Sequence, residues 1–175
     1  GRSVGADAAA LWEELGASLS AEVALGAALR EVDLRTPRGR TVDGIRLADR
    51  AAVGAALVAG AKENLTPVLH RIPPFRAGFP KAEGRGGEQG AKWVLGSRWL
   101  QPLVLPGPSF PTVLPVQLLR LGSVALLALP FEVTVQAGRR IAAAVLGADG
   151  VAASGVERVV VSSVANEYSG YATTP

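Results

Sequence analysis

The sequence predicts an α/β fold, a mixed sheet with flanking helices that ends in a β-β-α-β unit. Three features of the C-terminal third lead to this prediction. Two apolar runs, 113–121 and 123–129, meet at Gly122 and are typical of an antiparallel strand pair. Residues 134–146 repeat apolar side chains at helical spacing and stop at a glycine. Residues 156–164 are rich in β-branched side chains, as expected of a strand covered on both faces.

The N-terminal part is predicted to add a helix and further strands. Residues 4–19 repeat apolar side chains every three or four positions, which predicts a helix that buries one stripe against the sheet. Residues 28–35 alternate like a strand, and residues 41–50 are a candidate for a second one. The small-residue run 51–60 fits either a buried helix or close-packed irregular backbone. Most of the prolines fall in 61–112, which we interpret as a loop-rich excursion.

The composition excludes several classes of protein. A length of 175 residues corresponds to one domain or to part of a larger one. With 49% hydrophobic and 19% charged residues, the chain is not a disordered charged tail. The absence of cysteine excludes a disulfide framework and a thiolate metal site. The most apolar stretch, 113–131, is interrupted by proline and charge, so we expect no transmembrane helix. Because the sequence has no methionine, we expect a processed product or a piece of a longer chain.

A basic cluster lies inside the excursion, although the net charge of the whole chain is only +3. Its basic members, opposed only by Glu83 and Glu88, are Arg71, Arg76, Lys81, Arg85, Lys92 and Arg98. Such an excess favours a polyanion or an anionic membrane surface, and the alternative is a loop kept soluble by its charges. The single histidine, His70, is interpreted as an ordinary loop histidine because one histidine does not make a zinc centre.

Polar side chains follow the two C-terminal strands that we predict to be parallel. Parallel strands joined by a helix end at the same edge of a sheet, where ligand sites in open α/β sheets gather. Glu132 follows the first strand, and Tyr168 and Tyr171 follow the second, so the three are predicted to converge. The alternatives are a glutamate at the positive end of a helix dipole and tyrosines that pack their rings. Likewise, Arg139 and Arg140 could orient a carboxylate or phosphate, and the alternative is a solvated arginine pair on a helix.

These residues carry a resemblance to the neutral (non-lysosomal) ceramidases. The segment Leu129-Pro130-Phe131-Glu132-Val133-Thr134, with Gly138-Arg139-Arg140 after it, resembles the family's Pro-x-Glu-x-Thr and Gly-Arg-Arg segment. The segment Asn166-Glu167-Tyr168-Ser169-Gly170-Tyr171-Ala172-Thr173-Thr174 resembles its Asn-x-Tyr-x-x-Tyr-x-x-Thr segment. Weaker similarity runs through residues 1–34, 52–60 and 121–123. The resemblance therefore extends, with gaps, over nearly the whole chain.

The resemblance implies a zinc-dependent amidase that cleaves ceramide to a fatty acid and sphingosine. Carried over by position, the zinc ligands in this chain are Glu132 and Tyr171. Two histidine ligands and a family serine that takes part in catalysis would precede Gly1, so no catalytic residue is assigned within this segment and its substrate-binding residues are unknown. Residues 1–175 would then be the C-terminal half of a catalytic domain, incomplete and inactive alone. The resemblance also implies a secreted or membrane-associated protein.

Several alternatives stay open at this point. The chain could be a non-catalytic module that binds anionic lipid or nucleic acid through its basic excursion, whereas the enzyme interpretation expects no nucleic-acid partner. A diverged relative acting on another N-acyl lipid is a further alternative, because Phe131 stands where many relatives have glycine. The aromatic residues of the excursion are predicted to line an apolar pocket or to touch a membrane surface. They are Phe75, Phe79, Trp93 and Trp99.

Overall fold

The fold was determined as a computed structural model, which describes most of the chain but not all of it. The described residues are 1–35, 41–42, 45–46, 51–59, 65–73, 75–76, 79, 93–97, 99–106 and 110–173. The helices are α1 (Arg2–Leu15), α2 (Gln101–Val104) and α3 (Val135–Leu146). The strands are β1 (Leu25–Asp33), β2 (Thr41–Val42), β3 (Ile45–Arg46), β4 (Val113–Leu121), β5 (Val124–Ala128), β6 (Glu132–Val133), β7 (Arg158–Ser162) and β8 (Tyr171–Ala172). Short 3₁₀ turns occupy Gly16–Ser18, Ala55–Ala59, Leu69–Arg71 and Ala152–Ser154.

The main sheet has four strands in the order β1-β4-β5-β7 and is mixed. Strand β4 pairs antiparallel with β1, from Leu25↔Leu121 to Asp33↔Val113, and antiparallel with β5. Strand β5 pairs parallel with β7, and α3 connects the two and packs on β7. The predicted mixed α/β fold and its closing β-β-α-β unit are therefore confirmed.

The β4–β5 hairpin is closed by Gly122, as its position between two apolar runs predicted. Gly122 has φ +62°, a left-handed conformation that costs glycine little and other residues more. A left-handed glycine at the first central position of a two-residue turn matches the twist of the strands that it joins. The turn fixes the register Leu121↔Val124 and thereby sets which side chains of β5 face the core.

The buried side chains of the described residues lie mainly in β4, in β5 and the residues after it, and in α3. Leu114 and Ala125 are each 1% exposed, and Ala137 of α3 is also buried. Burial alternates over the first residues of β5, and residues 127–130 are then all buried, which explains why this segment is so apolar. Pro130, which directly follows the strand, is fully buried and anchors the point at which the chain leaves the sheet.

The first helix forms but does not bury its apolar stripe, which corrects the sequence prediction. It ends at Leu15 rather than at residue 19, and none of its residues is buried. Leu11 is 53% exposed, and Trp12 next to it is 71% exposed. The periodicity predicted the helix correctly, but none of the described elements covers its apolar face.

The remaining boundaries differ from the predictions in ways that have a physical reason. Strand β7 is not covered on both faces: Val159 and Val161 are half-buried, whereas Val160 on the opposite face is exposed. This strand is at the edge of the sheet, and α3 packs on it. In place of one strand over residues 41–50, the structure has the short antiparallel pair β2–β3. Of the described residues 51–59, Ala55–Ala59 form a 3₁₀ turn and residues 51–54 are not helical, so this run is irregular backbone rather than a regular helix.

The described residues of the excursion are organised around one buried glutamine, Gln101. Its Nε2 donates to the carbonyl oxygens of Val53 (2.9 Å) and Leu95 (2.8 Å), and its Oε1 accepts from the backbone N–H of Val53 (2.9 Å). The backbone N–H of Leu95 also donates to the Val53 carbonyl. One side chain thus ties together two chain segments that belong to no regular sheet.

Candidate functional site

Two chain segments that leave the sheet side by side form the candidate site. One follows β5 and the other follows β7, and backbone hydrogen bonds join them over their whole length. These bonds are Leu129 N–H to Ser162 O, Ala165 N–H to Leu129 O, Ser169 N–H to Pro130 O, Val164 N–H to Phe131 O, Glu132 N–H to Gly170 O and Thr134 N–H to Ala172 O, with N···O distances between 2.7 and 3.1 Å. The rim at the carboxyl edge of the parallel strands is therefore held by the backbone itself.

Glu132 lies directly beside the two tyrosines. Strands β6 and β8 pair in parallel with Glu132 opposite Tyr171. The Tyr168 hydroxyl donates a hydrogen bond of 2.6 Å to Oε1 of Glu132, although the residues are 36 positions apart in sequence. The Tyr171 side chain also acts on the Glu132 carboxyl, since it lowers the pKa of that carboxyl while the pKa of its own phenol is raised. The predicted convergence of these three side chains is confirmed, and the role of Glu132 and Tyr171 as metal ligands stays a prediction.

The hydrogen bonds shift the pKa values of all three groups. The Tyr168 hydroxyl, followed by that of Tyr171, lowers the pKa of the Glu132 carboxyl because both bonds stabilise the carboxylate. The same bonds raise the pKa of each phenol, because a phenolate would lose its hydrogen bond and stand next to a negative charge. At neutral pH the cluster therefore holds one carboxylate and two protonated phenols.

The simpler explanation for the tyrosines does not fit the geometry. Tyr168 and Tyr171 are 58% and 59% exposed, so their rings are not packed into the described part of the chain. The Glu132 carboxylate accepts the Tyr168 hydroxyl, so it has a specific partner besides the positive end of α3. Thr134, at the N-cap position of that helix, makes no capping bond either, and its hydroxyl donates weakly to the Ala172 carbonyl at 3.4 Å.

The segment that carries the tyrosines has an unusual backbone. Val164 has φ +54° and Asn166 has φ +70°, and Gly170 follows at φ +77°. A left-handed β-branched residue is a true outlier, and such strain persists only where the surroundings enforce it. The backbone bonds to the segment 129–134 provide that enforcement. The conformation turns the chain back so that Tyr168 and Tyr171 both reach Glu132.

The side-chain donors of this rim suit part of a site for zinc, the ion that the resemblance implies. Zinc accepts carboxylate oxygen, and a cation-bound phenol can lose its proton. Glu132 and Tyr171 together offer two oxygen donors from neighbouring strands at an exposed rim, which fits half of a four-coordinate site. Within the described ranges, no group of three or more His, Cys, Asp or Glu side chains could hold a metal ion.

The other residues singled out in the sequence lie away from this cluster or outside the described residues. His70 Nδ1 is 2.7 Å from the Thr66 carbonyl oxygen, and its Nε2 accepts from Arg71, which agrees with an ordinary loop histidine. Arg139 and Arg140 are exposed on α3. The residues of the basic cluster that lie outside the described part are Lys81, Glu83, Arg85, Glu88, Lys92 and Arg98.

The aromatic residues of the excursion differ in exposure. Phe79 and Trp93 are half-buried and contact each other with ring centroids 6.2 Å apart. Phe75 is also half-buried, whereas Trp99 is 89% exposed. Their predicted contact with an apolar substrate or a membrane surface stays a prediction. No helix in the described part of the chain is long and apolar enough to cross a membrane.

Sequence reasoning missed two contributors to the local architecture. The hydroxyl of Ser163 accepts the backbone N–H of Val133 at 3.2 Å and helps to fix β6. Gln101 was not singled out, since a lone glutamine in a proline-rich stretch gives no periodic pattern. The direct bond of Tyr168 to Glu132 was within reach of the sequence, because both tyrosines were predicted to approach the glutamate.

Comparison with known proteins agrees with the resemblance. Residues 97–175 match the family model described as "Neutral/alkaline non-lysosomal ceramidase, N-terminal". The chain is 36% identical over 134 residues to the neutral ceramidase of Pseudomonas aeruginosa, covering 71% of this chain and 19% of that protein. It is 42% identical over 65 residues to neutral ceramidase 3 of Arabidopsis thaliana, covering 37% of this chain and 9% of that protein. The chain thus spans less than a fifth of the length of either relative.

Solved structures give the same result. A ceramidase complexed with C2 superposes with a TM-score of 0.56 at 34% identity, covering 86% of this chain and 25% of that one. The neutral ceramidase from Pseudomonas aeruginosa superposes with a TM-score of 0.50 at 29% identity, covering 86% of this chain and 23% of that one. Because sequence and fold agree over most of its length, this chain belongs to the neutral ceramidase family.

Proposed function

We propose that this chain is part of a zinc-dependent amide hydrolase that cleaves ceramide to a fatty acid and sphingosine. The observation that supports the proposal most directly is the placement of the Glu132 carboxyl and the Tyr171 phenol on paired positions of β6 and β8. They lie at the carboxyl edge of the parallel strands, where sites of α/β sheets form. In the proposed enzyme these two residues hold the cation together with two histidines from an earlier part of the parent chain, as the family resemblance implies.

A bound zinc ion would polarise the amide carbonyl and make a bound water more acidic. The protonation states of Glu132 and Tyr171 determine how many protons must leave when the ion binds. The lowered pKa of Glu132 means that its carboxylate is already ionised at neutral pH and needs to lose no proton before a cation binds. The raised pKa of Tyr171 means that its phenol keeps its proton until a cation displaces it. Cation binding through both residues would therefore release one proton, from the Tyr171 hydroxyl.

Preorganisation is the second contribution of this segment. The backbone bonds between segments 129–134 and 162–172 hold both ligands on a rigid rim, so their order is established before any cation arrives. A ligand that is already in place loses less conformational entropy on binding. The partial catalytic domain of residues 1–175 would thus supply one rigid wall of the centre.

The proposal is tested in the full-length protein that contains this chain, by Glu132→Gln and Tyr171→Phe. Each variant is expected to lose bound zinc and hydrolysis of a fluorescent ceramide. The matched control is Glu157→Gln, an exposed glutamate near the opposite end of β7 from the site. If both site variants keep the zinc content and turnover of the control, the ligand assignment is wrong.

The substrate is the finer part of the proposal. Phe131, next to Glu132, is half-buried and occupies a position where many relatives have glycine, which leaves another N-acyl lipid as the alternative substrate. Turnover of ceramide and of other N-acyl lipids by the same preparation decides between them. Binding to anionic vesicles or nucleic acid with no hydrolysis of either substrate class would instead favour the non-catalytic module. The family resemblance further supports a secreted or membrane-associated parent protein.

A further inference from the structure

We infer that Tyr168 is a positioning residue, whose hydroxyl holds the Glu132 carboxylate in the orientation in which it binds a cation together with Tyr171. The inference rests on the proposed function, since it assigns a task to a residue beside the proposed ligands. Its geometric basis is the hydrogen bond of 2.6 Å from the Tyr168 hydroxyl to Oε1 of Glu132. Such a short bond to an ionised acceptor belongs to the stronger class of hydrogen bonds.

The position of Tyr168 is fixed by its backbone rather than by burial of its ring. The ring is 58% exposed. The next residue, Ser169, donates its N–H to the buried Pro130 at 2.7 Å, and Gly170 accepts the N–H of Glu132 at 2.8 Å. Both bonds involve the residues that follow Tyr168, and they tie the tyrosine to the chain segment that carries Glu132. Because the ring is exposed while its backbone is fixed, we infer that the role of Tyr168 lies in its hydroxyl group.

Glu132 needs such a partner because it is a long side chain at a partly exposed rim. Ordering a glutamate side chain costs conformational entropy, which one fixed hydrogen bond offsets in advance. A carboxylate offers about four lone-pair directions, so one bond from Tyr168 leaves capacity for a cation. Partners that hydrogen-bond a metal ligand typically change metal affinity by about 10–100-fold when they are removed.

The two tyrosines are therefore not equivalent. Tyr171 is opposite Glu132 in the β6–β8 register, whereas Tyr168 lies in the loop before β8 and reaches the carboxylate from outside the strand pair. Binding of a cation by Glu132 and Tyr171 would leave the Tyr168 bond in place, because that bond needs only Oε1 and a protonated phenol.

The test is a double-mutant cycle on zinc affinity in the full-length protein, measured by competition with a chromophoric chelator. Tyr168→Phe removes only the hydroxyl. Glu132→Asp keeps the carboxylate but shortens it by one methylene, which moves it out of reach of that hydroxyl. In the wild-type background, Tyr168→Phe is expected to lower zinc affinity by about 10–100-fold. In the Glu132→Asp background it is expected to change zinc affinity by less than about twofold.

Ser154→Ala is the control, because it also removes an exposed hydroxyl that makes a 2.6 Å bond, but at the other end of the β5–β7 crossover. It should leave zinc affinity unchanged, and a cooperative thermal transition without metal should show that every variant is folded. Tyr168→Phe with wild-type affinity would overturn the inference. An equal loss in both backgrounds would also overturn it, because Tyr168 would then act independently of Glu132. If Glu132→Gln keeps its zinc, the proposed function fails instead.

Discussion

Replacement of the buried Gln101 by leucine should open the excursion without unfolding the sheet. Leucine keeps the size and packing of the side chain but removes its three hydrogen bonds. The Val53 carbonyl keeps its bond from the Leu95 N–H, so two groups lose their partners: the Val53 N–H and the Leu95 carbonyl. An unsatisfied buried group costs about 1–3 kcal/mol. Because Val53 and Leu95 are half-buried, water offsets part of this cost, and we expect about 2–3 kcal/mol in total.

The assay is hydrogen exchange of the full-length protein, read by mass spectrometry on a peptide that contains Val53. Hydrogen exchange is suitable because the chain around Gln101 can open locally while the rest of the protein stays folded. A loss of about 2–3 kcal/mol corresponds to exchange about 30–150 times faster, at 1.36 kcal/mol for each factor of ten. Peptides from the core strand β5 should exchange at the wild-type rate.

Two comparison variants make the experiment decisive. Gln136→Leu removes an exposed glutamine from α3 and should leave exchange at Val53 unchanged. Gln101→Glu keeps an acceptor for the Val53 N–H but loses both donated bonds at neutral pH. It should therefore be at least as disruptive as leucine, and it should recover partly when acid protonates the carboxyl and restores one donor. If Gln101→Leu exchanges at Val53 like Gln136→Leu, the proposed role of the buried amide is wrong.

Three further predictions follow from single features of the structure. Gly170→Ala and the control Gly150→Ala should each lower the free energy of unfolding by about 1–2 kcal/mol, because both positions have φ near +80° and open space for a Cβ. Only Gly170→Ala should also weaken zinc binding. In the metal-free protein, wild type should be more stable than Glu132→Gln at every pH above about 4.3, the carboxyl pKa in the unfolded chain. This difference should disappear as the pH falls through the carboxyl pKa in the folded protein, which is lower. A difference in melting temperature that does not change with pH would contradict the assigned bonds. Hydrogen bonds from Arg35 lower the pKa of Asp33 to about 2, so Arg35→Leu should raise it part of the way toward about 3.9, as followed by carboxyl NMR.

The crossover unit was predictable because its information is local. Each signal that predicted it extends over a few residues: an alternating or β-branched run, a glycine between two runs, or a glycine at the end of a helix. The helix α3, Val135–Leu146, begins one residue from its predicted start. The convergence of Glu132 with the tyrosines was predictable for a different reason. Parallel strands joined by one helix must end at the same edge, so connectivity alone brings residues 36 positions apart together.

Other features depended on what surrounds each element. The periodicity of α1 does not say whether its apolar face is covered, and here Leu11 and Trp12 remain exposed. Likewise, the apolar run of β7 does not say that the strand lies at a sheet edge with Val160 exposed. Burial is a property of neighbours in space, and a local pattern carries no information about which neighbours are present.

The crossover unit and the edge at which the acidic and phenolic side chains collect follow from the order of residues, because hydrophobic periodicity and chain connectivity are properties of that order. Which tyrosine is opposite Glu132 in register, and which one hydrogen-bonds it from the loop, is known only from the folded chain. That choice depends on left-handed residues at Val164, Asn166 and Gly170, which are held by bonds to a distant segment. A backbone conformation of this kind is enforced by its surroundings and leaves no pattern in the chain that adopts it.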